Sequence, residues 1–142
     1  MKKILGVDLG TKRVGLAISD ALGLIASPLG IVEVRSEWEA IFEVEKAYEE
    51  NSAEMIVVGL ARNMNGKLGE KGKECEAFAK KLSEKGYEVE LWDERLSSAE
   101  AERSLKKANI NRKKRKEKVD AVAAQIILNN FLAAKSNNFN KL

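Results

Sequence analysis

Three acidic residues at unusual positions are the candidates for chemistry in this chain. Asp8 ends an apolar, β-prone run, and Glu94 closely follows another, at the strand ends where open α/β sheets place their sites. Asp120 shares a helical stripe with Ala123, Ala124, Ile127 and Phe131, so its carboxylate is expected to face the sheet. Because burying an unpaired charge is costly, three inward-facing acids indicate that something cationic joins them.

The rest of the composition restricts the chemistry further. The 142 residues include no histidine and one cysteine. This excludes catalytic triads that depend on histidine, imidazole-based nuclease mechanisms and zinc sites built from histidines or several thiolates. Cys75 lies at helical spacing from Phe78 and Leu82, which predicts a buried small side chain rather than a reactive thiol. Chemistry must come from carboxylates, lysine, tyrosine, hydroxyls or a bound metal.

Magnesium or manganese accounts for the three acids better than separate structural roles. Taken singly, Asp8 would brace a turn, Glu94 would pair with Arg95, and Asp120 would favour a helix N-terminus. Taken together they suit a hard divalent ion, and two such ions about 4 Å apart can activate water and stabilise the leaving oxygen in phosphoryl transfer. We therefore predict Asp8, Glu94 and Asp120 as catalytic residues and as ligands of Mg²⁺ or Mn²⁺.

Four segments resemble the YqgF (RuvX) family in the same order along the chain. They are residues 8–15 (DLGTKRVG), 58–60 (VGL), 93–98 (DERLSS) and 119–128 (VDAVAAQIIL). The resemblance covers nearly the whole chain and implies a ribonuclease H-like fold related to RuvC-type Holliday-junction resolvases. It implies that Asp8, Glu94 and Asp120 are the catalytic set. Family members are described either as junction resolvases or as nucleases that mature the 5′ end of pre-16S ribosomal RNA, a step of ribosome biogenesis.

Two features qualify the resemblance. Ala61 stands where the family usually has proline after Gly-Leu, which affects loop rigidity and leaves the predicted ligands intact. The opening Asp-x-Gly-Thr also resembles the phosphate loop of the superfamily of actin, heat-shock chaperones and sugar kinases. That phosphotransferase superfamily needs two lobes and a second phosphate loop, for which this chain has no room.

The charge distribution suggests a nucleic-acid-binding surface. The formal net charge is only +3, but residues 37–54 carry seven acids against one lysine and residues 106–118 carry eight basic residues against Glu117. The basic run is a candidate phosphate-binding patch, with a solvated charge run as the alternative. Arg13 could reach a scissile phosphate or be an exposed hairpin residue, and Arg95 could contact substrate or orient Glu94. The predicted nucleic-acid contacts are Arg13, Arg95, Arg112, Lys113, Lys114, Arg115 and Lys116.

The periodicity of apolar residues predicts the elements that hold these side chains. Strands are predicted at 3–8, 13–19, 29–34, 55–60 and 87–92, the first two joined as a hairpin and the fourth central. Ser36 and Glu39 form a capping box that opens a helix with Trp38, Ile41, Phe42 and Tyr48 on one face. Further helices are predicted up to about residue 85, from 97 to about 107, and from about 118 to 134.

This order of elements predicts the fold class. Antiparallel strands followed by alternating strands and helices favour an α/β fold, a five-stranded mixed sheet with an antiparallel first half and helices on both faces, and the family resemblance makes it ribonuclease H-like. We predict one nuclease domain over residues 1–135 and a polar tail over 136–142. No apolar run approaches the roughly 18 to 20 residues that span a bilayer, so a cytoplasmic protein without membrane contact is expected.

The leading functional prediction is a metal-dependent nuclease that processes the 5′ end of pre-16S rRNA. The alternatives are resolution of Holliday junctions in branched DNA, and a noncatalytic nucleic-acid-binding module. RNA is the preferred partner, branched DNA is possible, and the oligomeric state is expected to be a monomer or a weak homodimer.

Overall fold

The computed structural model describes residues 2–61, 67–93 and 123–135. Its strands are β1 (Ile4–Leu9), β2 (Arg13–Ser19), β3 (Ala26–Glu33), β4 (Met55–Leu60) and β5 (Val89–Asp93). Its helices are α1 (Glu37–Glu50), α2 (Glu70–Glu84) and a third helix, α3, described over residues 123–135.

The strands form one mixed sheet in the order β3-β2-β1-β4-β5. β1, β2 and β3 pair antiparallel, whereas β4 pairs parallel with both β1 and β5. The predicted five-stranded mixed sheet with an antiparallel first half is therefore confirmed. β1, rather than the predicted β4, is the middle strand, although β4 is an interior strand and fully buried. β3 begins three residues before the predicted strand, and β5 begins two residues later than predicted.

Helices cover both faces of the sheet. On one face, α1 and α2 contribute Val44, Phe78 and Leu82 to a cluster that includes Leu5, Val7, Ile56 and Val58. On the other face, α3 contributes Ala124, Ile127, Leu128 and Phe131 to a cluster with Ile4, Ala17 and Val57. The alternation of side chains along each strand divides the core in this way, since neighbouring residues point to opposite faces.

The N-terminus of α1 has the predicted capping interactions in a slightly altered form. The Glu39 N–H donates to Ser36 Oγ at 3.1 Å, and Glu39 Oε2 accepts from the Arg35 N–H at 2.9 Å. In the standard capping box the acid accepts a hydrogen bond from the N–H of the capping residue, which here is Ser36. Glu39 instead accepts from the N–H of Arg35, one residue earlier. The predicted helix start is confirmed.

The predicted buried face of α1 is wrong for its two large aromatic residues. Trp38 is 73% exposed and Phe42 is 51% exposed, and their rings stack on each other with centroids 5.9 Å apart. The buried stripe consists of smaller side chains, namely Ala40, Ile41, Val44 and Ala47. This stripe faces the sheet and Tyr48 packs against the same core, whereas Trp38 and Phe42 lie on the outer side of the helix.

The second helix agrees with its prediction. Cys75 is 1% exposed and packs with the apolar face of α2. Gly86 follows the helix with a φ of +105°, a backbone conformation that glycine adopts without strain. Among the described residues, no helix is long and apolar enough to cross a membrane. The predicted helix at 97–107, the beginning of the last helix and the tail lie outside the described residues.

Candidate active site

Asp8 lies at the sheet edge where the parallel strands end. Val7 pairs with Val58, and Gly59 pairs with Trp92, so the next position of the β1–β4 register places Asp8 beside Gly59. On its other side, Asp8 pairs with Gly15 of β2. The carboxyl edge of the sheet thus carries a row of four residues in the order Gly15, Asp8, Gly59 and Trp92.

Both strand neighbours of Asp8 are glycines. Side chains that face each other across strands normally lie about 4.5–5.5 Å apart and fill the space between them. Gly15 and Gly59 bring no side chain to that space, so the carboxylate is flanked by backbone on both sides. The half-buried Asp8 therefore has no side chain from either neighbouring strand beside it.

The face that carries Asp8 also carries α3. Gly6, two residues before Asp8 on the same face, packs so closely that an added Cβ would lie 3.0 Å from Leu128 Cβ and 3.3 Å from the Ala124 carbonyl oxygen. At the other end of α3, Leu132 lies beside Ile4, towards the opposite edge of the sheet. The first described turn of α3 is therefore its end nearest to Asp8.

Trp92 of β5 is the last of the four residues in this row and pairs with Gly59. Its indole packs edge-on against Phe131 of α3, with ring centroids 5.7 Å apart and planes at 86°. Sequence reasoning assigned no role to Trp92 or Gly59. A glycine inside an apolar strand often marks close approach of another group, and that signal would have identified Gly59.

The β1–β2 hairpin holds the end of β1 in place. The Gly10 N–H donates to the Arg13 carbonyl oxygen at 2.7 Å, and a Cβ on Gly10 would lie 2.6 Å from that oxygen. A side chain would push the hairpin apart at this point, so the predicted glycine-dependent turn is confirmed. The hairpin is also fastened to β3, since the Val34 N–H donates to the Lys12 carbonyl oxygen at 2.9 Å.

Arg13 lies diagonally across from Asp8. It is two residues before Gly15, the strand partner of Asp8, and so occupies the same face at a separation of about 7–8 Å. It also lines a cavity of about 790 Å³, whose other charged residues are two bases and two acids, Lys12, Arg35, Glu33 and Glu39. Its Nη1 is buried and has no hydrogen-bond partner within the described part of the chain. An unsatisfied buried guanidinium is costly, and a phosphate oxygen is the acceptor that it binds best.

The structure places two of the predicted site residues and leaves the others untested. Asp8 and Arg13 lie together at the carboxyl edge of the sheet. Glu94, Arg95, Asp120 and the basic residues 112–116 lie outside the described residues. Over residues 2–61, 67–93 and 123–135 no group of three or more acids or cysteines could hold a metal ion.

Comparison with protein families gives one match over almost the entire chain. The sequence profile of the RuvX family, described as Holliday junction resolvase, matches residues 2–134. Proteins of Bacillus thuringiensis (strain Al Hakam) and Bacillus anthracis (strain A0248) are each 45% identical over 139 residues, covering 94% of this chain and 99% of the relative. Both are named as candidate pre-16S rRNA nucleases.

Solved structures with the same fold include two resolvases. RuvC of Thermus thermophilus in complex with a Holliday junction substrate has a TM-score of 0.61 at 16% identity, with 96% of this chain and 97% of RuvC covered. The Fowlpox virus resolvase in complex with Holliday junction DNA has a TM-score of 0.55 at 14% identity, with 94% and 98% covered. At these identities the likeness concerns the fold, which is the predicted ribonuclease H-like fold of the resolvases.

Proposed function

The chain belongs to the RuvX family of Holliday junction resolvases, and on that premise we propose that it is a metal-dependent nuclease that matures the 5′ end of pre-16S rRNA. The names of the Bacillus relatives support this choice of substrate. The observation that carries the proposal is the position of Asp8, at the carboxyl end of the middle strand with glycine on both neighbouring strands. A cytoplasmic location belongs to the same proposal.

Asp8, Glu94 and Asp120 are proposed to hold the metal. The donor set suits Mg²⁺ or Mn²⁺, because all three ligands are carboxylates and the chain has no histidine to favour zinc. Glu94 follows Asp93, the last residue of β5, and Asp120 precedes by four residues the Ala124 that packs over Gly6. When bound, the ion would lower the pKa of a water molecule and offset charge on the phosphate.

The protein side chains are proposed to position the substrate around this set. Arg13 binds a non-bridging phosphate oxygen, which satisfies its buried Nη1. A carboxylate of the set accepts a hydrogen bond from the attacking water and orients it towards phosphorus. Arg95 and the basic run 112–116 contact the flanking backbone, because phosphate contacts position a nucleic acid without reading its sequence.

A side-by-side cleavage assay tests the proposal. The substrates are a pre-16S rRNA precursor, plain single-stranded RNA and a four-way DNA junction, each with and without magnesium. The precursor should be cut at its 5′ side only with magnesium, and Asp8→Asn, Glu94→Gln and Asp120→Asn should each remove most of the activity. Glu49→Gln, which changes an exposed acid of α1, is the control that should cleave at the wild-type rate.

The outcomes separate the alternative functions. Wild-type rates in all three acid variants would rule out the proposed site. Cleavage of the junction without cleavage of either RNA would identify a resolvase, the activity that describes the family. Binding of nucleic acid with no cleavage of any substrate would identify the noncatalytic module.

A further inference from the structure

Helix α1 presents a stacked pair of aromatic rings on its outer side. Trp38 is 73% exposed and Phe42 is 51% exposed, and their ring planes are inclined by only 10°. Residues four apart on a helix are neighbours on its surface, so the two rings form one continuous apolar patch. Single exposed apolar residues are common, but a contiguous aromatic patch marks an interaction surface more often.

This aromatic patch is held in place by the packing of α1. Ser36 Oγ accepts a hydrogen bond at the start of the helix. One ion pair joins Glu37 to Lys81 of α2, and a second joins Glu45 to Lys85 at 2.9 Å. A surface that is ordered before binding loses little entropy when a partner covers it.

The charge beside the aromatic patch is negative. A row of residues three or four positions apart runs along the helix next to the rings, namely Glu39, Glu43, Lys46 and Glu50. The three glutamates of this row form no ion pair within residues 2–61, 67–93 and 123–135, and Glu39 accepts only the backbone N–H of Arg35. Their charge is therefore not neutralised by the described part of the chain.

The end of α1 adds to this negative charge. The carbonyl end of a helix carries a partial negative charge, which a basic residue in the last turn offsets. The last turn of α1 has no basic residue and ends at Glu50. A cationic partner that lies along the outer side of α1 would meet both the glutamate row and the negative end of the helix.

We propose that the outer side of α1 binds a basic, arginine-bearing segment of a partner protein. The planar guanidinium of arginine stacks on aromatic rings and also pairs with carboxylates, so one residue type matches both features of this surface. An arginine over Trp38 makes the strongest cation–π contact, since tryptophan is the best aromatic partner of a cation. Further basic residues of the same segment pair with the glutamate row.

Other occupants fit this surface less well. RNA carries a negative charge on every phosphate and is repelled by the glutamate row. A two-fold contact between copies of the chain would place these same glutamates against each other. A helix that binds a membrane surface carries lysine and arginine on its polar face, whereas α1 has six glutamates and one lysine.

The proposed contact leaves the Asp8 edge free. Helix α1 covers the face of the sheet to which Leu5 and Val7 point, whereas Asp8 lies on the face that carries α3. The outer side of α1 points away from the sheet, so a segment bound there does not cover Asp8. Binding is independent of the proposed nuclease activity, and its test does not involve cleavage.

The test is fluorescence anisotropy of a labelled peptide in which arginine alternates with leucine, titrated with the whole chain at low salt. The wild type should bind this arginine peptide. Trp38→Ala should raise the dissociation constant at least about fivefold, which corresponds to about 1 kcal/mol. Trp38→Phe keeps an aromatic ring, so its affinity should lie between the two. Trp38 is mostly exposed, and circular dichroism melting should show that both variants are folded.

Replacing two glutamates of the row tests the electrostatic part. Glu43→Gln combined with Glu50→Gln should weaken binding of the arginine peptide and make it less dependent on salt, because fewer charges remain to be screened. Leu24→Ala, which changes an exposed apolar residue outside α1, and Glu76→Gln, which changes an exposed acid of α2, are the matched controls. Both should bind the peptide as the wild type does.

Three results would overturn the proposal. The first is that the wild type fails to bind the arginine peptide up to about millimolar concentration, where even weak specific contacts form. The second is that Trp38→Ala, or the double glutamine variant, binds the peptide as tightly as the wild type. The third is that single-stranded RNA binds the wild type and loses affinity in Trp38→Ala but not in Leu24→Ala, which would make the patch a nucleic-acid surface.

Discussion

At the scale of single residues, Asp8 is distinguished by having a glycine beside it on each neighbouring strand. Gly15 and Gly59 remove side chains from both neighbouring strands, and Gly10 allows the hairpin to close directly after it. Neither of the two neighbouring strands therefore places a side chain next to this carboxylate. The diagonal Arg13, with its unsatisfied Nη1, adds a positive charge that suits the phosphate of a substrate.

Magnesium should stabilise the folded protein through Asp8. Binding to the folded state alone adds about 2.7 kcal/mol at one hundred times the dissociation constant, which raises the melting temperature by several degrees. In Asp8→Asn a ligand charge is lost, so the magnesium-dependent rise should be much smaller. Thermal melts in EDTA and in a magnesium series measure the difference, with Glu49→Gln as control. An equal magnesium shift in wild type and Asp8→Asn would show that Asp8 binds no metal.

At the scale of elements, α3 packs closely against β1 beside the proposed site. Gly6 is the contact that permits this approach, because the neighbouring Leu128 is fully buried and the Ala124 carbonyl oxygen is part of the backbone. Neither group can move without shifting the helix. Asp120 precedes the first described residue of α3 by three positions in the sequence, so we predict that the Gly6 contact influences the position of that acid.

Gly6→Ala should weaken both stability and metal binding. The added Cβ overpacks the contact with Leu128, and overpacking costs about 1–3 kcal/mol. Leu132→Ala is the matched control, since it lowers stability at the other end of α3 without displacing the start of the helix. Urea unfolding measures stability and magnesium titration measures affinity. If the two variants bind magnesium equally well, the start of α3 does not position the site.

A second connection between elements joins α1 to the segment that leads into β5. Tyr87 Oη donates to Glu45 Oε2 at 2.8 Å, and Lys85 Nζ donates to Glu45 Oε1 at 2.9 Å. The hydrogen bond from Lys85 lowers the pKa of Glu45. Burial, together with the hydrogen bond to Glu45, raises the pKa of Tyr87 to about 12. These shifts make the connection sensitive to pH at both ends of the scale.

Tyr87→Phe should reduce the loss of stability at alkaline pH. The pKa of Tyr87 is raised from its ordinary value of 10.0 to about 12, so its contribution is complete below pH 10 and is lost as pH rises towards 12. The variant should lose about 1 kcal/mol at pH 8 and show a flatter decline above pH 10. Tyr48→Phe, which alters the neighbouring ring, is the control. Urea unfolding at pH 8, 10 and 11 would contradict the assignment if wild type and Tyr87→Phe declined in parallel.

At the scale of the whole molecule, charge is distributed unevenly along the sequence. Residues 37–54 are acidic, whereas residues 106–118 are basic. The small formal net charge of +3 is therefore the sum of an acidic and a basic run, each of which produces a strong local electrostatic field. Nucleic acid is expected to bind the basic run.

Neutralising the basic run should change the salt dependence of RNA binding. Replacement of Arg112, Lys113, Lys114, Arg115 and Lys116 by glutamine removes five candidate phosphate contacts. Because each contact with single-stranded nucleic acid contributes about 0.7 to the slope of log affinity against log salt, that slope should become shallower by up to about 3.5. Lys73→Gln with Lys80→Gln, both exposed on α2, is the control pair. An unchanged slope would make the basic run a solvated surface.

The sequence by itself determined the local elements and excluded histidine chemistry from any site. The hairpin after Asp8, the capped start of α1, the glycine after α2 and the buried stripe of Ala123, Ala124, Ile127 and Phe131 were all predictable. Each depends on residues a few positions apart, where backbone sterics and periodicity act. The exclusion of histidine-based chemistry also follows from the sequence alone, since an absent histidine is absent in any fold.

Only the tertiary structure decided which strands are neighbours and which apolar residues are covered. The placement of Gly15 and Gly59 beside Asp8 depends on a register between strands far apart in sequence. The exposure of Trp38 and Phe42 depends on which stripe of α1 meets the sheet. Hydrophobic periodicity identifies a face that can be buried, but the partner that buries it comes from a distant part of the chain.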